Sequence, residues 1–565
     1  MSAELTFMFA GRTMVANEGD TIASALIKNN QLAFRTTEEN KSRGLFCGMG
    51  VCNECTVTVD GKTGVLACLT PVQMGMNIDL QYQYRDAPNP ESEFTQLPEI
   101  TKACDVLIIG AGPAGLAAAK ELAKDNLKII LVDERKSMGG QYFKQPAEKF
   151  EIPISELDAQ FLEGRAIIDA VKKTNIEVIT NTKIWGAFDA DHLLGYNDEN
   201  RFVFKAKNLV IATGAYERGI PIPNWTLPGV YTTGAAQTLL RSYQTPVTGR
   251  IIVCGNGPLN LQMAAELLKS NANVIAYVDS AKLFSLKNLI LSPLLAIISP
   301  KLGLRGLGYL AILIRNKVKL ISNSVPTKFI GKDLLTDVNI NKLNNDLPDP
   351  TRSTTYKVDS VSMGFGFAPS NEIAKLLSCQ LKLDKRTMAN VVQSNFAGKT
   401  SKKNVWVVGD SAAINGAQIA KYRGRLLALK LLTDLNKAHA LTKIEYFFTS
   451  ISLLRHLLFQ KVLWQIFKGP RLVAQLADEE TIICRCLNVT VSELHSEVIK
   501  DVESAGAVKR ITRAGMGKCQ GRYCSPVVQE LLSTEYKIEV DEFSGFAPQV
   551  PIKPTPISVI AYPFE

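Results

Sequence analysis

The sequence predicts an α/β chain built around two copies of a strand–glycine turn–helix–strand unit, with a small cysteine-bearing domain at each end. Three observations predict it. Apolar strand-like runs enter glycine turns at 105–115 (DVLIIGAGPAG) and again at 251–260 (IIVCGNGPLN). A duplicated βαβ unit of this kind signals two dinucleotide-binding, Rossmann-like domains. Eight of the eleven cysteines fall into two sets of four, one near each end. The length of 565 residues leaves room for three or four domains.

Composition narrows the class. With 46% hydrophobic and 21% charged residues the chain is of ordinary globular make-up. The net charge of +10 is scattered, without a Lys/Arg block or a recognisable nucleic-acid motif, so no nucleic-acid partner is expected. The opening MSAELTFMFAGR lacks the apolar core of a signal peptide, which points to a cytoplasmic location and to cysteines that bind metal rather than pair as disulfides. Cys104, Cys254 and Cys379 are isolated in apolar sequence and are expected as buried small residues. No run reaches the ~18–20 apolar residues needed to cross a bilayer. The apolar stretches 289–299 and 444–467 suit packed or amphipathic helices, with a peripheral place on the inner membrane as the other reading.

The elements follow in order. Residues 1–85 read as a small α+β domain, with a short helix at 21–29 and a strand and turn at 56–61. Residues 86–101 are polar and proline-bearing, as in a linker. The first nucleotide domain takes 102–245 and returns at 358–437; the second takes 246–357. Residues 438–478 read as a helical linker, 479–535 as a second cysteine domain and 536–565 as an extended tail rich in proline.

Cys47, Cys52, Cys55 and Cys68 are spaced C-x4-C-x2-C-x12-C, the plant-type pattern for a [2Fe–2S] cluster. Gly48 and Gly50 allow the tight loop that aims N–H groups at sulfur. Zinc is the rival, but it favours paired C-x2-C knuckles and only one is present. Cys484, Cys486, Cys519 and Cys524 are spaced C-x-C-x32-C-x4-C, and Lys509, Arg510, Arg513, Lys518 and Arg522 crowd the closing segment. Such cations stabilise an anionic cluster or form a solvated face for a partner.

In the first nucleotide unit Gly110 makes the tight turn, Gly112 admits a pyrophosphate and Gly115 lets helix and strand pack. Glu134 follows Gly115 by nineteen residues, where a carboxylate reaches a ribose; adjacent Asp133 has the poorer register. LVIATG (209–214) and VWVVGD (405–410), ending in Gly409 and Asp410, complete an FAD pattern. The candidate FAD set is Gly110, Gly112, Pro113, Ala114, Gly115, Glu134, Gly140, Gln141, Ile184, Thr213, Gly214, Gly409, Asp410 and Ala417. The second unit retains Gly255 and Gly257, with Asp279 at a ribose position, but Asn260 replaces the third glycine. NAD(H), another adenine nucleotide and a vestigial site are all compatible with it. The second unit holds no C-x-x-C, so a disulfide reductase is not expected. His192, His439, His456 and His495 match no catalytic motif, and no catalytic residue is assigned.

CGMGVCNEC followed by ACLTPV resembles the β-grasp ferredoxin domain of multisubunit amine oxidases, and 509–532 (KRITRAGMGKCQGRYCSPVVQELL) resembles the bacterioferritin-associated-ferredoxin-like (BFD-like) [2Fe–2S] domain. With GGQYF (139–143), WTLPGVYTTGAAQ (225–237), GFGFAPSNE (364–372) and TRAGMGKCQGRYC (512–524), residues 102–535 resemble the flavoprotein A/α subunits of octopine and nopaline oxidases, hydrogen cyanide synthase and D-hydroxyproline dehydrogenase, with sarcosine oxidase α more distant. That resemblance implies FAD, two [2Fe–2S] clusters and an FMN at an interface between subunits. It also implies a hetero-oligomer, in which a β subunit like glycine or D-amino-acid oxidase oxidises the amine and an external acceptor receives the electrons. The other readings are a self-sufficient NADH-dependent reductase and a non-enzymatic iron–sulfur delivery protein.

Overall fold

The computed structural model describes all residues except 1–3, 82–95, 148, 151, 153–156, 499–503, 536, 563 and 565. The expected linker falls largely outside the described residues, and its last three positions already belong to a strand, Glu99–Ile109. That strand is long because its first half pairs with the first half of Arg201–Ile211, residue for residue from Glu99 to Cys104.

The N-terminal unit is a five-stranded sheet in the order Arg12–Asn17, Glu4–Phe9, Asn77–Leu80, Thr56–Val59, Lys62–Leu66. Glu4–Phe9 and Asn77–Leu80 run parallel at its centre. The helix Ile22–Lys28 starts at Thr21, whose side chain accepts the Ser24 N–H, and its apolar face is buried. This is a β-grasp arrangement.

The first nucleotide sheet is ordered Glu177–Ile179, Ile129–Val132, Glu99–Ile109, Arg201–Ile211, His192–Tyr196, Lys183–Asp189, and Val405–Val407 pairs in parallel with the far half of Arg201–Ile211. The helix Pro113–Leu122 begins on Gly112 with proline in its first turn and runs through a stretch of alanine. The second sheet is wholly parallel: Val230–Thr232, Ser360–Gly364, Arg250–Gly255, Asn273–Asp279, Lys319–Ser322. Both contain the predicted strand–turn–helix units, and the fold is the α/β architecture expected.

Two apolar cores join parts distant in sequence. One continues from the N-terminal domain (Phe7, Leu26, Val57) into the second nucleotide domain (Val253, Met263). The other joins Phe46 and Cys47 to Trp225 and to the C-terminal Cys484, Tyr523 and Val527. The small end domains are thus packed onto the middle rather than strung from it. The tail does not project either: the Ile552 N–H donates to Trp185 O (2.9 Å), and the Tyr196 hydroxyl donates to Pro554 O (3.0 Å). Among the described residues no helix is long and apolar enough to cross a membrane.

Candidate flavin cavity and cysteine centres

The first glycine turn opens a cleft of about 1280 Å³, counted out to solvent. Each glycine has its own reason. Gly110 has φ +107, and a Cβ there would lie 2.4 Å from Ala212 O. At Gly115 a Cβ would meet Gly110 O at 1.9 Å, so helix and turn touch only because it is glycine. A Cβ on Gly112 would meet nothing nearer than Gly140 Cα at 3.9 Å, so this position faces open space.

All the first-unit candidates except Gly115 line this cleft, including Glu134, Gln141, Ile184, Thr213, Asp410 and Ala417. Gly115 is packed behind the turn. Asp133 and Glu134 divide their tasks. Asp133 is buried and accepts the N–H groups of Ala111 (2.6 Å) and Arg135 (2.8 Å), holding the turn shut. Glu134 lies on the cleft wall and is hydrogen-bonded to Lys553 of the tail. Asp410 accepts the Asn415 and Gly416 N–H groups on Oδ1 (3.0 and 3.1 Å). Burial raises its carboxyl; those donors and Arg423 oppose the rise. Gln141 Oε1 and Arg135 Nη2 are buried on the cleft wall without a hydrogen-bond partner. Open space over Gly112 and orphaned polar atoms together fit a polar, phosphate-bearing cofactor such as FAD.

The N-terminal cysteines divide into two hydrogen-bonded pairs, Cys47 with Cys52 and Cys55 with Cys68. The C-terminal cysteines do the same, Cys484 with Cys524 and Cys486 with Cys519. Two pairs match two irons with two thiolates each. Burial pushes the Cys47 thiol up. The Cys52 thiol and the N–H groups of Cys52, Met49 and Val51 more than offset this and bring it to about 6. Gly48 and Gly50 at φ +62 and +75 turn the loop that presents these donors. Hydrogen bonding from Cys524 is the main reason that Cys484 lies at about 7. In the same sets Cys52 is pushed up by burial, and Cys486 and Cys524 by hydrogen bonding to Cys519 and Cys484, so the low and high thiols lie side by side.

Folding brings the two sets together. The Cys486 thiol donates to Cys52 O at 3.8 Å, across 434 residues of chain. Phe46 packs edge-on against Trp225 (5.4 Å) and Tyr523 (5.6 Å). Glu54, fully buried, faces three arginines: Arg35 (3.4 Å), Arg43 (3.7 Å) and Arg485 (3.6 Å). Arg485, between two cysteines, also stacks 3.8 Å from the Phe46 ring centre. On the other side of the N-terminal cysteine loop, Met49 and Val51 line the flavin cleft, as do Ile552 and Lys553 of the tail. None of these contacts carries a local motif, and sequence reasoning missed them all. Of the five cations near the C-terminal set, Arg522 is buried, pairing with Glu372 (2.9 Å) and donating to the carbonyls of Cys519 and Ile552. Cys104, Cys254 and Cys379 are buried, and burial raises all three thiols.

The second glycine turn is built differently. Asn260 is 1% exposed, donates to Gly364 O (2.8 Å) and accepts from the Thr233 hydroxyl (2.7 Å). It therefore bridges the segments that a third glycine would let touch. Asp279 is 0% exposed and accepts from Tyr277 Oη (2.8 Å), Ala281 N–H (2.8 Å), Asn256 Nδ2 (3.3 Å) and Gly257 N–H (3.4 Å). The chain itself covers the turn. Asn256 Nδ2 donates to Phe467 O (2.9 Å), and a Cβ on Gly469 would lie 2.3 Å from Ser280 Oγ.

Comparison with known proteins agrees with this layout. Residues 104–424 match the family model for pyridine nucleotide-disulphide oxidoreductases, 2–83 that for a 2Fe-2S iron-sulfur cluster binding domain, and 482–534 that for a BFD-like [2Fe-2S] binding domain. The chain is 27% identical over 488 residues to the A subunit of opine oxidase from Agrobacterium tumefaciens (strain Ach5), covering 83% of this chain and 94% of the relative. It is 27% identical over 469 residues to the HcnB subunit of hydrogen cyanide synthase from Pseudomonas aeruginosa, covering 80% and 97%. Against the alpha subunit of sarcosine oxidase from Corynebacterium sp. (strain P-1) it is 27% identical over 293 residues, covering 48% and 30%. A solved L-proline dehydrogenase from P. horikoshii shares the fold, with a TM-score of 0.71 at 21% identity over 99% of this chain and 98% of that one. An oxidoreductase with an FAD-type domain and two [2Fe–2S] domains follows from these matches.

Proposed function

The chain belongs to the pyridine nucleotide-disulphide oxidoreductase family, and from that premise we propose that it is the electron-transfer subunit of a multisubunit amine dehydrogenase or oxidase. It takes electrons from a partner flavoprotein, of glycine or D-amino-acid oxidase type, that oxidises a D-amino acid, hydroxyproline, opine or glycine. Three relatives named as subunits of opine oxidase, hydrogen cyanide synthase and sarcosine oxidase support that reading. An interfacial FMN and an external acceptor belong to it as well.

One observation carries it: the N-terminal cysteine loop touches the flavin cleft through Met49 and Val51 and the C-terminal cysteines through Cys52 and Cys486. Bound FAD would supply a two-electron centre there, and each cluster a one-electron centre. Glu134 would hold the ribose, Asp410 the ribitol chain, and Arg135 with the open face of Gly112 the pyrophosphate. The eight paired cysteines would hold the irons. Phe46, Trp225 and Tyr523 exclude water from the junction between the cysteine sets. NAD(H) is left out of the proposal because the chain covers the second turn itself. The free cysteines and thiolate sites support a reducing, cytoplasmic location.

The test is anaerobic titration with glycine, hydroxyproline, sarcosine and opines. The isolated chain is expected to stay oxidised, and the chain co-purified with its partner flavoprotein to bleach with the correct substrate. Bleaching of the isolated chain would overturn the division of labour. A stable complex that never reduces this chain would make it a scaffold.

A further inference from the structure

The helices Leu286–Ile298, Pro300–Arg315 and Thr442–Ile466 pack on one another, the first against each of the other two. Each nevertheless leaves an apolar stripe uncovered. On the first, Leu286, Ile290 and Ile297 are 82%, 76% and 75% exposed, with Leu289 and Leu294 beside them at helical spacing. On the second the exposed stripe is Leu304, Leu307 and Ile314. On the third it is Ile444, Phe447, Phe448, Ile451, Leu454 and Leu458. None of these residues belongs to the flavin cleft or to the cysteine centres, and so much uncovered apolar surface marks a binding face.

Charge identifies the occupant. From 280 to 332 the sequence has no Asp or Glu, while Lys282, Lys287, Lys301, Arg315 and Lys317 are exposed. From 446 to 477 it again has none, while Arg455, Lys461 and Lys468 are exposed. The one acid in the three helices, Glu445, pairs with Lys124 and Arg425. Protein interfaces are depleted in lysine. Apolar stripes flanked by lysine and arginine, with their single acid already paired, suit anionic lipid. The first two helices, of 13 and 16 residues, are about 20 and 24 Å long, short of the ~30 Å hydrocarbon core. The third carries Arg455 and Lys461 within its length. We propose that the uncovered stripes of these helices dock the protein on an anionic bilayer, lying in the headgroup layer without spanning it. The proposal is independent of the amine-oxidation reading.

Full-length protein carrying its flavin and clusters would be floated with vesicles of phosphatidylcholine alone, and of phosphatidylcholine with phosphatidylglycerol, at low and high salt. It is expected to float with the anionic vesicles at low salt, and about tenfold less with neutral ones or at high salt. The variant Leu286→Glu/Ile290→Glu/Ile297→Glu should lose at least about tenfold of that binding with an unchanged visible spectrum. The charge variant Lys287→Glu/Lys301→Glu, which leaves the apolar stripes intact, should lose the preference for anionic lipid. Wild-type protein that floats with neither vesicle overturns the proposal, as does an apolar variant that floats as well as wild type. Loss of a partner protein on size exclusion, with vesicle binding intact, would assign the face to protein instead.

Discussion

At the scale of single residues, Asp279 shows how one sequence position can hold two meanings. Its register is that of a ribose-binding carboxylate, yet it is turned inward onto four donors. Burial pushes its carboxyl up from 3.8 to about 6 against those donors. A carboxyl raised on folding contributes stability that is full below its unfolded value and is lost as pH rises through the folded one. The window is therefore roughly pH 4–6, and about two units correspond to at most about 3 kcal/mol. In thermal melts, the difference between wild type and Asp279→Asn is expected to shift against wild type from pH 4 to 6 and to stay flat above. A constant difference across that window would contradict the inward assignment. NADH added anaerobically in stoichiometric amount should reduce the flavin slowly or not at all, and Asn260→Gly should not change this. Rapid bleaching by NADH would restore the reductase reading.

At the scale of elements, the junction between the two cysteine loops depends on Glu54. Its carboxylate is the counter-charge for Arg35, Arg43 and Arg485, of which Arg43 and Arg485 are nearly buried. Glu54→Gln would leave those cations uncompensated, at a cost of about 3 kcal/mol. The expected result is a lower melting temperature and easier loss of iron from the C-terminal site. A variant that melts and retains iron like wild type would show the network to be incidental. The paired cysteines make a separate prediction. Cys519→Ser should lower iron from about four per chain to about two, with one [2Fe–2S] spectrum left. Loss of all iron would mean that the two sites assemble as one. The C-x4-C-x2-C loop and both glycine turns were legible because each is a local pattern whose geometry follows from a few adjacent residues. The arginine set was not, because Glu54 and Arg485 lie far apart in the chain and neither stands out beside its neighbours.

At the scale of the whole molecule, the tail closes the flavin site. Its prolines suggest an extended segment, and it lies along its own chain, with Ile552 and Lys553 in the cleft wall and Phe546 over Gly515 and Gly521. Ending the chain after Gln549 is expected to speed flavin release at least about tenfold, measured by fluorescence after dilution, because Ile552 and Lys553 are removed from the cleft wall. Unchanged retention would make the tail a bystander.

What the sequence determined by itself is the set of local devices: a β-grasp cysteine loop, the turn of Gly110, Gly112 and Gly115, the closing Gly409–Asp410 pair and the second cysteine set. Each requires particular residues at short, rigid spacing, so the pattern survives without knowledge of the rest of the chain. Only the tertiary structure decided how they are wired. It placed Cys486 against Cys52, laid Met49 and Lys553 into one cleft, and drew Phe467–Gly469 over the second turn. The reason is physical: these contacts come from shared apolar cores and buried charge pairs between segments hundreds of residues apart, and such packing leaves no spacing rule in the chain.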